Sequence, residues 1–99
     1  MSAREAGSGP ELEGQIGEAS PDIVIIDVDL PPRGGLAFAA SLRRRFPEMG
    51  ILVLTHRGEA EENIDALASG ADACPPRDIN PLILVAMARS LIRRLDLVG

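Results

Sequence analysis

Ninety-nine residues bound a single domain near the small end of what can bury its own core. The net charge of −5 argues against direct nucleic-acid binding, which rests on clustered cations neutralising phosphates. The lone Cys74 excludes an intramolecular disulfide or a multi-cysteine zinc site. No apolar run has membrane length and no leader pattern stands out, so a cytoplasmic chain without a membrane partner is expected. Phe38 and Phe46 are the only aromatics, which leaves Ile, Leu, Val and Ala to fill the core. That composition suits a parallel sheet buried on both faces. All ten basic residues are arginine, so no site here can use a lysine ammonium.

Residues 1–10 hold no apolar pattern and read as a disordered lead-in, followed by one domain over residues 11–99. Leu12 and Ile16, four apart, mark a weak helix from Glu11 to Ala19 that Gly14 and Gly17 weaken further. After the break at Ser20-Pro21-Asp22, the run Ile23–Val28 reads as a buried strand that stops at Pro31-Pro32. Leu36 to Phe46 follows as a helix with Phe38, Leu42 and Phe46 on one face, and Arg43, Arg44 and Arg45 complement its C-terminus. Ile51–Thr55 is a second buried strand. Glu59 to Ser69 is the clearest helix, with Ala60, Ile64, Leu67 and Ala68 on its apolar face, acids in its first turn and Gly70 at its end. Ala71–Cys74 reads as a short third strand halted by Pro75-Pro76. The last helix runs from about Asn80 to Leu95 along a stripe of Leu84, Met87, Leu91 and Leu95, widened by Leu82, Val85 and Ile92.

Strands alternating with helices imply right-handed crossovers and a parallel sheet. In such sheets functional groups gather at the carboxyl ends of the strands. Asp27 and Asp29 end the first strand, Thr55 and His56 the second, and Arg77 follows the third. A carboxylate can act as a nucleophile toward phosphorus, and a hydroxyl and a cation beside it can hold phosphoryl oxygens. Cys74 reads as a small apolar residue at a strand end, and His56 as a loop residue.

The stretch PDIVIIDVDLP (21–31) with Gly35-Leu36, ILVLT (51–55) and SGADACPPR (69–77) together resemble the response-regulator receiver family. The resemblance covers roughly residues 12–95. It implies an α/β, flavodoxin-like (CheY-like) three-layer fold, here reduced to about three strands and three to four helices. It further implies a phosphoacceptor at Asp27, a switch hydroxyl at Thr55 and a phosphoryl-binding cation at Arg77. The donor would be a histidine kinase or phosphotransfer protein. Mg²⁺ would bind Asp27 and the backbone carbonyl of Asp29, and the module would regulate rather than turn over substrate, with no catalytic residue of its own.

The chain departs from the family pattern at four places. No opening strand ending in two acids precedes Asp22: Glu11, Glu13 and Glu18 lie on the glycine-interrupted helix, which puts Mg²⁺ in doubt. Arg77 replaces a lysine, Asp78 a proline, and His56 a small residue. The family strand order 2-1-3-4-5, without its first two strands, leaves Ile23–Val28 as an apolar edge. A homo-oligomer formed through that edge or through the last helix is therefore expected. Two other readings are a receiver-like interaction domain that is never phosphorylated, and a nucleotide binder or small enzyme on the same fold. The latter has no glycine-rich phosphate loop to support it.

Overall fold

The computed structural model describes residues 7–18, 21–57 and 59–98, with backbone only for 18 and 95–98. Residues 1–6 of the expected lead-in, Ala19 at the end of the expected helix, Ser20 of the break and the Leu95 side chain fall outside them. The elements run α1 (Gly9–Glu18), β1 (Ile23–Asp27), α2 (Gly35–Arg45), β2 (Gly50–Leu54), α3 (Ala60–Ala68) and α4 (Pro81–Val98). Helix α1 begins two residues before the predicted Glu11, because Gly9 is drawn into the fold. Its N–H donates to Pro31 O at 2.7 Å, and its Cα lies against the Phe38 ring. Leu12 and Ile16 are buried as their spacing predicts.

Strands β1 and β2 pair in parallel, with Ile23 opposite Gly50 and Asp27 opposite Leu54. Strand alternation then sorts the side chains into two layers. Val24, Ile26, Ile51 and Val53 join Leu12, Ile16, Ala39, Leu42 and Ala66 on one face. Ile23 and Leu52 meet Ala88 and Leu91 of α4 on the other. This is the three-layer parallel arrangement anticipated. None of the helices among the described residues is long and apolar enough to cross a membrane.

Two details differ from the sequence reading. The third strand is not a continuous ladder, nor does it halt at Pro75-Pro76. It lies beside β2 through isolated bridges at Ala73 and Pro76. Ala73 O accepts from Val53 N–H, Pro75 O accepts from Thr55 N–H, and Arg77 N–H donates to Thr55 O at 2.7 Å. At that two-residue spacing, the donor owed to Val53 O falls on residue 75, and proline has none. The missing rung breaks the ladder, yet the segment continues alongside β2 far enough to deliver Arg77.

Helix α3 also turns a different face inward. Ala66 is buried, whereas Ile64 (64 % exposed) and Leu67 (50 %) point outward. The inward face combines Ala66 with Glu62 and Asn63, because Glu62 reaches back to His56 and the small Ala66 permits close approach. On α4 the predicted stripe packs through Leu84, Leu91 and Ile92, joined by Ala88, while Leu82, Ile83 and Val85 remain exposed.

Candidate functional site

The β1–β2 register sets Asp27 opposite Leu54 at the carboxyl edge of the sheet, one residue before Thr55. After Asp27 the chain folds into a tight turn: Leu30 N–H donates to Asp27 O at 3.0 Å, and Asp29 N–H donates to Asp27 Oδ1 at 2.8 Å. Such side-chain-to-backbone turns are an aspartate habit, and here the turn orients the carboxylate. The third segment brings in Arg77, whose Nη2 donates to Asp27 Oδ1 at 2.6 Å and to Asp29 Oδ2 at 2.8 Å. Asp27 Oδ1 is thereby held by two donors. Among the described residues, no hydrogen bond engages Oδ2.

The three residues singled out in the sequence thus meet at one edge, with one difference in orientation. Thr55 is fully buried, and its hydroxyl donates to the carbonyls of Pro75 (3.3 Å) and Cys74 (3.4 Å). It is directed at the third segment. Reaching a group on Asp27 requires a change of its side-chain rotamer.

His56 is more than a loop residue. Its Nε2 lies 2.6 Å from Asp29 Oδ2 and its Nδ1 lies 2.9 Å from Glu62 Oε2, while its backbone N–H donates to Glu62 Oε1. Both ring nitrogens face carboxylate acceptors, which requires the doubly protonated ring. Asp29 first, and Glu62 second, hold the imidazolium above its ordinary pKa. Arg77 and then His56 lower the Asp29 carboxyl, and the His56 backbone N–H and then its ring lower Glu62. The hydrogen bond to Asp29 is the main cause that raises the Arg77 guanidinium. A sequence signal for this bridge existed in the acidic first turn of α3, six residues past His56. Its direction was not legible, since three glutamates occupy that stretch. Cys74 packs partly buried against the core, and that burial raises its thiol pKa, as suits an unreactive apolar role.

The carboxylates available to a divalent ion here are Asp27 and Asp29. A single guanidinium nitrogen already bridges them, and His56 also engages Asp29. The described residues contain no group of three or more His, Cys, Asp or Glu able to hold a metal. Mg²⁺ requires near-octahedral oxygen donors. The donor set does not fit it.

A family model for the response regulator receiver domain matches residues 1–89. The phosphate regulon transcriptional regulatory protein PhoB of Klebsiella pneumoniae is 34% identical over 84 residues, covering 83% of this chain and 37% of that protein. The transcriptional regulatory protein AruR of Pseudomonas aeruginosa is 38% identical over 73 residues, covering 74% of this chain and 30% of that protein. The chain therefore spans little more than a third of these relatives at most. A CheY-like receiver domain protein of Methanospirillum hungatei superposes with a TM-score of 0.83 at 21% identity, over 93% of this chain and 74% of that one, and so shares the fold. With that fold, that carboxylate at the end of β1 and a family match over most of its length, the chain belongs to the response-regulator receiver family.

Proposed function

We propose that Asp27 accepts a phosphoryl group from the phosphohistidine of a histidine kinase or phosphotransfer protein, and that the module then signals in the cytoplasm through protein contacts. Receiver domains are regulatory modules. The observation that supports this reading is the asymmetry of Asp27: Oδ1 is tied to Asp29 N–H and Arg77, and among the described residues no hydrogen bond engages Oδ2, the oxygen that attacks. In the transfer, Oδ2 forms the bond to phosphorus as the donor's P–N bond breaks. The electron pair goes to the imidazole nitrogen, which takes a proton from water. Arg77, beside the acceptor, has further N–H groups for the new phosphoryl oxygens, and Thr55 joins them once its hydroxyl leaves Pro75 O.

Incubation with phosphoramidate followed by intact-mass measurement tests this. The wild-type chain is expected to gain one phosphoryl group and Asp27→Asn none. A wild-type chain that gains nothing, with Mg²⁺ or with a chelator, supports the second reading: a receiver-like interaction domain that is never phosphorylated. The ion pair between Arg77 and Asp27 favours that alternative, since it neutralises the charge of the acceptor.

The contacts include a second copy of this chain. Among the described residues no strand pairs with the outer edge of β1, and Ile25 beside it is 43 % exposed. Leu82, at 80 %, and Ile83 on α4 are exposed as well. An apolar edge free of lysine and proline is a template for strand pairing. Light scattering is expected to show a dimer whose population falls in Ile25→Lys. A wild-type monomer at tens-of-micromolar concentration removes this part of the proposal.

A further inference from the structure

We propose that Arg77 is a built-in cation of the pocket: its guanidinium takes the place that a divalent ion bridging the Asp27 and Asp29 carboxylates would need, and keeps that ion out. The inference concerns the unmodified protein and does not depend on Asp27 being phosphorylated. One nitrogen, Nη2, lies 2.6 Å from Asp27 Oδ1 and 2.8 Å from Asp29 Oδ2, so the positive charge sits where an ion bridging the two carboxylates would sit. The guanidinium does not deprotonate in a protein, so this charge is permanent.

Its backbone is anchored. Arg77 N–H donates to Thr55 O at 2.7 Å, and the preceding Pro75-Pro76 restricts the path that leads to it. Tethering makes the guanidinium an intramolecular competitor at high effective concentration, which an ion from solution must displace.

The same Asp29 oxygen is engaged a second time. His56 Nε2 lies 2.6 Å from the Asp29 Oδ2 that Arg77 holds, and the ring's Nδ1 lies 2.9 Å from Glu62 Oε2. An ion entering between Asp27 and Asp29 would meet the Arg77 guanidinium within hydrogen-bond distance of its own ligand oxygen, a strongly repulsive arrangement. The side chains form one chain, Asp27–Arg77–Asp29–His56–Glu62, from β1 to α3. The cation of this pocket is covalently supplied.

Paramagnetic broadening by Mn²⁺ in amide ¹H–¹⁵N spectra reads ion entry directly. In the wild-type chain the amides of residues 27–30 and 55–57 are expected to lose intensity no faster than the rest. Arg77→Gln is expected to broaden those amides selectively, reversibly with excess Mg²⁺, with an apparent affinity higher by about tenfold, as loss of two half-exposed ion contacts implies. Arg77→Met, which keeps the apolar stem, repeats the measurement should the glutamine variant lose its dispersed spectrum. Selective broadening of those amides in the wild-type chain overturns the proposal. So does a folded Arg77→Gln or Arg77→Met variant that gains no selective broadening.

Discussion

Replacing Gly35 with alanine is expected to destabilise the domain by about 3 kcal/mol, the scale of a forced overpacking clash. A Cβ on Gly35 would collide with the carbonyl oxygen of Asp27 and lie 2.9 Å from both the Asp27 carbonyl carbon and Ile26 Cγ2. Neither neighbour has room to yield. Asp27 is fixed by its register with Leu54, Ile26 is 1% exposed in the core, and Gly35 N–H is tied to Val28 O at 2.8 Å. Relief comes only by lifting α2 from the sheet or by turning the Asp27 peptide, and the second movement re-aims the candidate acceptor. For a chain of this size the melting temperature should fall by roughly 12 °C or more. The amide shifts of Asp27 to Leu30 should move farther than those of α4. Gly14→Ala is the control, since a Cβ there meets nothing within 4 Å. Equal melting temperatures for the two variants would show that the close approach at Gly35 imposes no constraint.

That glycine illustrates how much of the site was legible in the sequence. The family resemblance placed Gly35-Leu36 at the loop end, but sequence alone gives no distance between Gly35 and the Asp27 carbonyl. The β-branched runs announced β1 and β2, and strand alternation then dictated which of their residues reach each layer. Asp27, Thr55 and Arg77 converge because parallel strands end on the same side, a consequence of topology that a single chain trace can carry. What sequence did not carry was the choice among equivalent partners. Three glutamates, Glu59, Glu61 and Glu62, stand around the start of α3, and only packing selects Glu62 for His56. Ile64 and Leu67 made a convincing apolar face, yet α3 docks through Ala66, because a small residue and a polar bridge fixed its rotation. The Thr55 hydroxyl could have faced either Asp27 or the third segment, a rotamer choice with no signature in residue order.

Arg43 does more than complement a helix end as one of three arginines. Its truncation is the second large effect expected: Arg43→Ala should cost about 2–3 kcal/mol, the range for losing charge-assisted hydrogen bonds to partly buried acceptors. Nε and Nη2 donate to Gly70 O at 3.0 and 2.7 Å, and Nη1 donates to Met49 O at 2.7 Å and Pro47 O at 3.0 Å. Nη2 also pairs with Asp72 Oδ2 at 2.7 Å, and that oxygen accepts Ile51 N–H at 2.8 Å. One side chain therefore joins the end of α2, the loop into β2 and the turn after α3. Gly70 accommodates it by adopting φ +113, since a Cβ there would lie 2.8 Å from Arg43 Cβ. The Arg45 pair with Glu13 is exposed on both sides and should contribute far less. Urea denaturation separates the two cases: the Arg43→Ala midpoint should fall with an unchanged slope, and Arg45→Ala should stay close to wild type. Arg43→Lys should recover only part of the loss, because an ammonium cannot span Gly70, Met49 and Asp72 at once. Full recovery by lysine would mean that charge alone matters at this position, and that the fork joining three loops contributes nothing.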